Sequence, residues 1–300
     1  MNTLFQKTNA YWVKYNKYVY RHGDDGHLYL MPASDAKASV YDPIKVAESL
    51  EIDALNLGRL AMKQDSDELM KGAVLEFVTN YGLLGFMTAL PTTPEFMSYD
   101  AVYLPINHFI KKETMTTHEY LSLFFPFGKP DIYKDADKAQ WNVSSGEYKE
   151  RTVLAVAMTF ASEPIAVGLS LMPIYAERFD WLVTQFRDWA FMLVSAHLFY
   201  EYKDGMDDFS RELYQQGMSA FGGKAPTYRI RMYDNKPGIL WDFYSLLLTV
   251  QTMFGFALTD EERPLRICKH CNLAFIADQI NTAFCRSECN SQYNMHKNRG

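Results

Sequence analysis

Four cysteines lie close together near the C-terminus, and the 300-residue chain contains no others. They form two doublets, C-x2-C and C-x3-C, that are made by Cys268, Cys271, Cys285 and Cys289. This spacing matches that of four-cysteine zinc sites, in which each doublet supplies one edge of a tetrahedron. The sequence therefore predicts one structural Zn²⁺ ion held by these four residues.

Two disulfide bonds are the alternative interpretation of the same cysteines. Such bonds form in oxidising compartments, and small disulfide loops add little to the stability of a large chain. The first residues lack the basic segment and apolar segment of a secretory signal. We therefore expect reduced thiols and a cytoplasmic location.

The composition excludes several classes of protein. With 48% hydrophobic and 15% aromatic residues, most of the chain has the apolar content of a buried core rather than of a disordered segment. The net charge of −6 excludes a general attraction for nucleic acids or anionic membranes, so any such binding must be local. The longest near-continuous apolar run, residues 189–200, falls short of the about 20 residues that span a bilayer, and we expect no membrane partner.

The hydrophobic patterns predict a mainly α chain with small β elements. Apolar residues at spacings of three and four indicate helices, which we place at residues 43–63, 65–81, 174–202 and 240–258. Alternating aromatic residues around a Gly/Asp turn predict an N-terminal β-hairpin within residues 11–30, followed by a polar connection at 32–41. Residues 91–141 form an aromatic and proline-rich middle region in which long helices are disfavoured. We expect a mainly helical domain at 1–262 and a zinc finger at 263–300.

The predicted finger is a treble clef, in which a zinc knuckle and a hairpin precede a helix. The first doublet forms the knuckle, residues 272–277 leave it as a strand, and residues 278–282 turn the chain back toward the second doublet. Cys285 and Cys289 are four residues apart, so one turn of a helix that continues through 290–299 directs both sulfurs to the same metal.

Two short motifs connect this tail to known fingers. Leu265-Arg266-Ile267-Cys268 enters the first doublet, and the second follows an F-C-x-x-x-C-x-x-x-Y pattern from Phe284 to Tyr293. The tail resembles the CGNR zinc finger of bacterial regulators. It is more closely similar to an uncharacterised bacterial family of unknown function, which shares Trp241-Asp242-Phe243, Thr259-Asp260-Glu261, Phe275-Ile276-Ala277 and Tyr293-Asn294. The resemblance implies a mostly helical N-terminal domain, a structural zinc ion, and nucleic-acid binding by the finger.

The charge of the finger limits how tightly it binds nucleic acid. Residues 263–300 contain six Lys or Arg and two acidic residues, a net charge of +4, and a zinc ion with four thiolates carries −2. A charge near +2 indicates weak, salt-sensitive binding. The side chains suited to contact bases or phosphates are those of Arg286, Gln292, Asn294, Lys297 and Arg299.

Two hypotheses for the function remain open. In the first, the chain is a nucleic-acid-binding or regulatory protein, with DNA or RNA as partner. In the second, it is a protein–protein interaction or scaffold module whose zinc only staples the C-terminus. An enzyme is the least supported hypothesis, because His108, Glu113 and His118 lack the H-E-x-x-H spacing, and we predict no catalytic residue.

Overall fold

The structure is a computed structural model that describes residues 7–63, 66–89, 102–103, 109–110, 114–115, 117–130, 165–219, 225–279 and 281–297. Within these ranges the helices are α1 (Ala47–Met62), α2 (Asp67–Tyr81), α3 (Phe86–Ala89), α4 (Thr117–Ser122), α5 (Ile165–Ser170), α6 (Phe179–Tyr202), α7 (Asp208–Ser219), α8 (Leu246–Thr259) and α9 (Ser287–Lys297). The strands are β1 (Thr8–Asn9), β2 (Trp12–Tyr15), β3 (Tyr18–His22), β4 (Leu28–Pro32), β5 (Ala38–Tyr41), β6 (Val102–Tyr103), β7 (Thr114–Met115), β8 (Glu177–Arg178), β9 (Thr227–Tyr233), β10 (Lys236–Asp242), β11 (Leu265–Ile267) and β12 (Ala274–Ile276).

The prediction of a mainly α chain is wrong, because the fold is a mixture of α and β. The strands form small separate sheets rather than one large one. β3, β4 and β8 make one antiparallel sheet, and β1, β10 and β9 make another in which β1 runs parallel to β10. β2 pairs with β5, β6 with β7, and β11 with β12.

Two sequence interpretations explain this error. The segment 32–41, predicted as a connection, contains β5, which pairs with β2 in a register that places Val40 opposite Val13. The helix predicted from residue 240 begins instead at Leu246. Ser245 caps its N-terminus, because the Ser245 side chain accepts a hydrogen bond from the backbone amide of Leu248 at 3.0 Å. Residues 240–242 instead end β10, where Trp241 pairs with Tyr228 across the hairpin, because large apolar residues fit a strand as readily as a helix.

The N-terminal strands pair where the sequence predicts a hairpin. β3 and β4 are antiparallel around the turn at residues 23–27. Of the middle region, most residues lie outside the described ranges, but Phe124 and Phe125 are buried in the hydrophobic core. Among the described residues, none of the helices combines the length and apolarity that a bilayer crossing requires.

Helices α1 and α6 pack closely against each other at the centre of the core. α6 buries Leu182, Phe186 and Leu193 on one face, and α1 buries Leu50 and Leu55 against it. Gly58 lies at their closest approach, where a Cβ atom would overlap the backbone carbonyl of Phe186 and would meet the Ala190 side chain at 2.8 Å. The absence of a side chain at Gly58 therefore sets the distance between the two helices.

A buried carboxylate fixes the loop before α3. Glu177 is fully buried and accepts hydrogen bonds from the backbone amides of Leu84, Gly85 and Phe86 and from the Tyr175 hydroxyl, at 2.6–2.9 Å. Burial raises the pKa of Glu177, although these donors oppose the shift. The hydrogen bonds tie β8, at the start of α6, to the loop that follows α2.

We predict that Gly58→Ala destabilises the fold by about 1–3 kcal/mol or more, because the added methyl group forces α1 away from α6. The measurement is urea unfolding followed by circular dichroism. Gly72→Ala is the matched control: Gly72 is an exposed residue of α2 whose added Cβ meets nothing within 4 Å. It gains about 0.5–1 kcal/mol of helix stability instead. Equal effects of the two substitutions would contradict the packing described here.

Candidate metal centre

The first cysteine doublet lies in the turn between β11 and β12. These strands pair antiparallel with Arg266 opposite Phe275, so the chain reverses through Cys268 and Cys271. Asn272 adopts a left-handed backbone conformation, with φ of 59°, and its amide donates to the Cys268 carbonyl at 2.9 Å. Asparagine tolerates this conformation better than most residues, which allows the tight turn that directs both sulfurs to one side.

The second doublet lies at the start of α9. Cys285 precedes the helix and Cys289 lies in its first turn, and their Sγ atoms are 3.6 Å apart. Residues 283–284, which lead into the second doublet, lie outside the strands, and β12 pairs with β11. The segment is still attached to the knuckle, because the Lys269 amide donates to the Ala283 carbonyl at 3.0 Å.

The four sulfurs form a cluster of metal-ligand dimensions. All four Sγ atoms lie within 4.8 Å of one another, and Cys271 Sγ lies 3.6 Å from Cys285 Sγ. A tetrahedral zinc ion with Zn–S bonds of about 2.3 Å separates its sulfurs by about 3.8 Å. A disulfide would bring two sulfurs to about 2.05 Å, and all four cysteines are free thiols. The geometry fits one tetrahedral metal ion and not two disulfides, which is the outcome predicted from the spacing.

The protonation of the cluster also favours a bound cation. Burial raises the pKa of Cys268, but backbone amides of Cys271, Cys285 and His270 donate to its sulfur and lower the pKa to about 6. Burial and the neighbouring sulfurs raise the pKa of Cys285 well above its ordinary value. Without a cation, Cys268 therefore holds a thiolate readily, whereas Cys285 resists forming one. A divalent ion removes this conflict, because metal ligation deprotonates thiols.

The surroundings of the sulfurs include groups that orient them. Cys268 and Cys289 are buried, whereas Cys271 and Cys285 are half-buried. The Arg286 side chain donates a hydrogen bond to the Cys289 sulfur. His270 and His296, the nearby imidazoles, stack with ring centroids 6.4 Å apart and are not part of the group of four ligand atoms. The cluster is closed by cysteine alone, as expected for a structural site.

The hairpin that carries the knuckle packs on the body of the protein. Asn56 of α1 accepts from the Ala274 amide at 2.7 Å and donates to the Ala274 carbonyl at 3.4 Å. Lys269 lies 3.7 Å from Glu201 of α6. Leu265, Ile267 and Ala274 belong to the same buried apolar cluster as α1 and α6. The finger is thus docked on α1 and α6 rather than joined to them by a free linker.

Sequence reasoning missed the body residues that face the finger. Asn56 and Arg59 lie far from the cysteines in sequence, and the charge of Arg59 interacts with the Cys271 sulfur. Burial lowers the pKa of Arg59, and the sulfur opposes this shift. The only local signal is an uncharged polar residue, Asn56, placed between Leu55 and Leu57 in a helix that is largely apolar.

The residues proposed to contact nucleic acid lie on or beside α9. Gln292, Asn294 and Lys297 are exposed, and Cys289 is the buried residue of this helix. Asn294 and Lys297 are three apart and share a side of the helix, whereas Gln292 projects from another side. The side-chain amide of Asn294 (Nδ2) donates a hydrogen bond to Asn290 Oδ1 at 3.0 Å. Arg299 lies outside the described residues, as do His108 and Glu113 and the side chain of His118, the groups of the enzyme hypothesis.

We predict that the purified protein contains about one zinc ion per chain, and that Cys268→Ser or Cys285→Ser weakens zinc binding by more than about 100-fold. The measurements are elemental analysis by mass spectrometry and competition with a chromogenic chelator. His270→Ala and His296→Ala are matched controls that keep one equivalent of zinc, because neither imidazole completes the tetrahedron. Protein without metal, or a Cys268→Ser variant with full zinc content, would contradict the site.

No protein family, curated protein or solved structure matches this chain. The structure supports one feature of the resemblance to CGNR-type fingers. This feature is the four-cysteine cluster, which is compatible with a zinc-finger-like site.

Proposed function

We propose that Cys268, Cys271, Cys285 and Cys289 bind one structural zinc ion that organises residues 263–300 as a small treble-clef finger. The observation that carries the proposal is the clustering of four free sulfurs within 4.8 Å, at the junction of a short hairpin and a helix. Reduced thiols of this kind suit a cytoplasmic location, because glutathione and thioredoxin systems keep cysteines reduced there.

The finger presents α9 to nucleic acid, and this binding, or a regulatory role that uses it, is the function of the chain. From residue 290 to 297 the helix is exposed, so it is accessible to a groove or to a single strand. Lys297 and Arg299 supply positive charge at its end. The small net charge of the loaded finger makes the binding weak and dependent on salt.

Positive side chains of α1 and of the knuckle region itself lie near one another beside α6 and extend this surface. His197 of α6 interacts electrostatically with Arg59, Arg266 and Lys269, and burial together with these cations lowers its pKa. The Arg266 guanidinium lies 5.8 Å from the centre of the Tyr200 ring, and Tyr200 is 53% exposed. An exposed aromatic ring beside a cation is suited to stack on an unpaired base, which favours single-stranded RNA or DNA over a duplex.

A protein–protein interaction module is the second candidate, and one observation favours it. Large apolar side chains are exposed on α6 and on α7, among them Phe191, Leu198, Tyr202, Phe209 and Leu213. The two helices contact each other through the rings of Phe199 and Tyr214, whose centroids are 6.0 Å apart. Exposed apolar groups of this size are typical of interfaces. In this alternative the zinc ion only staples the C-terminus.

The test of the first candidate is a gel-shift titration with random-sequence single-stranded RNA and with duplex DNA at increasing salt. We expect a shift at low salt with a log–log salt slope of about −2, because few phosphates are contacted. The double variant Lys297→Ala with Arg299→Ala weakens binding to all sequences and reduces the slope by about 1 for each lost contact.

The matched control removes the same charge elsewhere. Lys37→Ala with Arg187→Ala replaces two exposed cations of the body, and leaves the gel shift unchanged. The absence of a shift at low salt, or equal losses in both double variants, contradicts the nucleic-acid proposal and leaves the interaction module as the function. Neither outcome affects the zinc site, which is tested by metal content.

A further inference from the structure

A cavity of about 530 Å³ lies where the body meets the finger, away from the cysteine cluster. Its walls come from the segment before α1, from α1 itself, from the end of α8 and from β12. Ile44, Met253, Phe256 and Ile276 form the apolar part of the lining. A cavity of this size holds a small organic molecule.

One carboxyl oxygen in this cavity lacks a hydrogen-bond partner among the residues that the structure describes. It is Oε1 of Glu51 in α1, a residue that lines the cavity and is 3% exposed. A buried carboxyl oxygen without a partner is costly, and native proteins rarely keep one unless it serves a ligand or an ion. The position of Glu51 on a cavity wall provides access for such a ligand.

Most of the other charged groups of the cavity already have ion-pair or hydrogen-bond partners. Glu48 pairs with Arg263 at 3.3 Å, and Asp260 Oδ1 accepts from the backbone amides of Glu262 and Arg263 at 2.9 Å. Lys45 and the Glu262 side chain complete the charged lining. Four carboxyl groups against two cations make the cavity acidic, which excludes anionic ligands.

The arrangement favours an organic cation over a metal ion. Among the residues that the structure describes, the four cysteines form the one group of acidic, histidine or cysteine side chains that lies at metal-ligand distances. Glu51 therefore lacks the additional ligands that a divalent ion requires. An ammonium group has three N–H donors, which Glu51 and the other acidic side chains of the lining can accept without the fixed geometry of a metal ion, and the apolar lining accommodates the carbon chain attached to it.

We propose that this cavity binds a small primary amine, with its ammonium group donating to the Glu51 carboxylate and its apolar portion packed between Phe256, Met253 and Ile276. Ile276 and Arg263 belong to residues 263–300, whereas Met253 and Phe256 belong to α8, so the bound amine contacts both the body and the finger. The proposal does not depend on the nucleic-acid role.

The protonation of Glu51 makes the binding depend on pH. Burial, with a smaller contribution from Glu48, raises the pKa of Glu51 to about 8. The groups that face it are Glu48 on α1, Lys45 before α1, and Asp260, Glu262 and Arg263 after α8. An ammonium ion binds the ionised carboxylate, so the affinity rises about fivefold from pH 7 to pH 8 as the ionised fraction grows. The amine itself remains protonated over this range.

The experiment titrates the zinc-loaded full-length protein with n-butylamine, using calorimetry at pH 7 and pH 8. Butan-1-ol and butyrate, which have the same carbon chain, serve as the neutral and anionic probes. We expect butylamine to bind in preference to both, with the higher affinity at pH 8. Glu51→Gln lowers the affinity by about tenfold or more, because the charged acceptor is lost.

Glu76→Gln is the matched control, since Glu76 is an exposed residue of α2 outside the cavity, and it leaves butylamine binding unchanged. Any one of three results overturns the proposal: butylamine does not bind, butan-1-ol or butyrate binds with the same affinity as butylamine, or Glu51→Gln binds butylamine with unchanged affinity. If Glu51→Gln does not fold, the ranking of the three probes and the change between pH 7 and pH 8 decide the matter on the native protein.

Discussion

The contact between α1 and α6 at Gly58 is the constraint on which the other features depend. The helix pair leaves no room for a Cβ atom at its closest point, because any side chain in place of Gly58 would overlap the Phe186 carbonyl. The relative position of the two helices is therefore set in the core. Because the finger contacts both helices, through Asn56 on one and Glu201 on the other, its docking surface is set by the same contact.

Helix α1 carries a different task on each of its sides. Gly58 faces α6, Asn56 and Arg59 face the finger, and Glu51 lines the cavity. A helix divided in this way has few positions left for solvent, and within it only Glu48, Ser49 and Asp53 are exposed. It also means that the metal centre and the cavity share one rigid element, although they are separate sites.

The metal cluster was predictable from sequence because its information is local. Each doublet needs only a turn or a single helical turn to bring two sulfurs together, so spacing alone identifies the four cysteines that cluster in the structure. The small sheets were not predictable in the same way. β1 pairs with β10 across more than 200 residues, with Asn9 opposite Asp242, and no local pattern states that pairing. The roles of Asn56 and Glu51 were not predictable from sequence either, because they depend on elements that come together only in the folded chain.

The composition of α9 supports the proposed metal ion at this end of the chain. The helix has 11 residues, and Cys289 is the one among them that is buried; the Tyr293 ring contacts Phe284 at 5.2 Å but is still 36% exposed. A helix of this length is marginal in water unless it buries an apolar face. The docked hairpin has such a face in Leu265, Ile267 and Ala274, and α9 does not. The hairpin is held by the hydrophobic core, whereas α9 depends on the proposed ion through Cys289, so we expect loss of the ion to release the helix before it releases the hairpin.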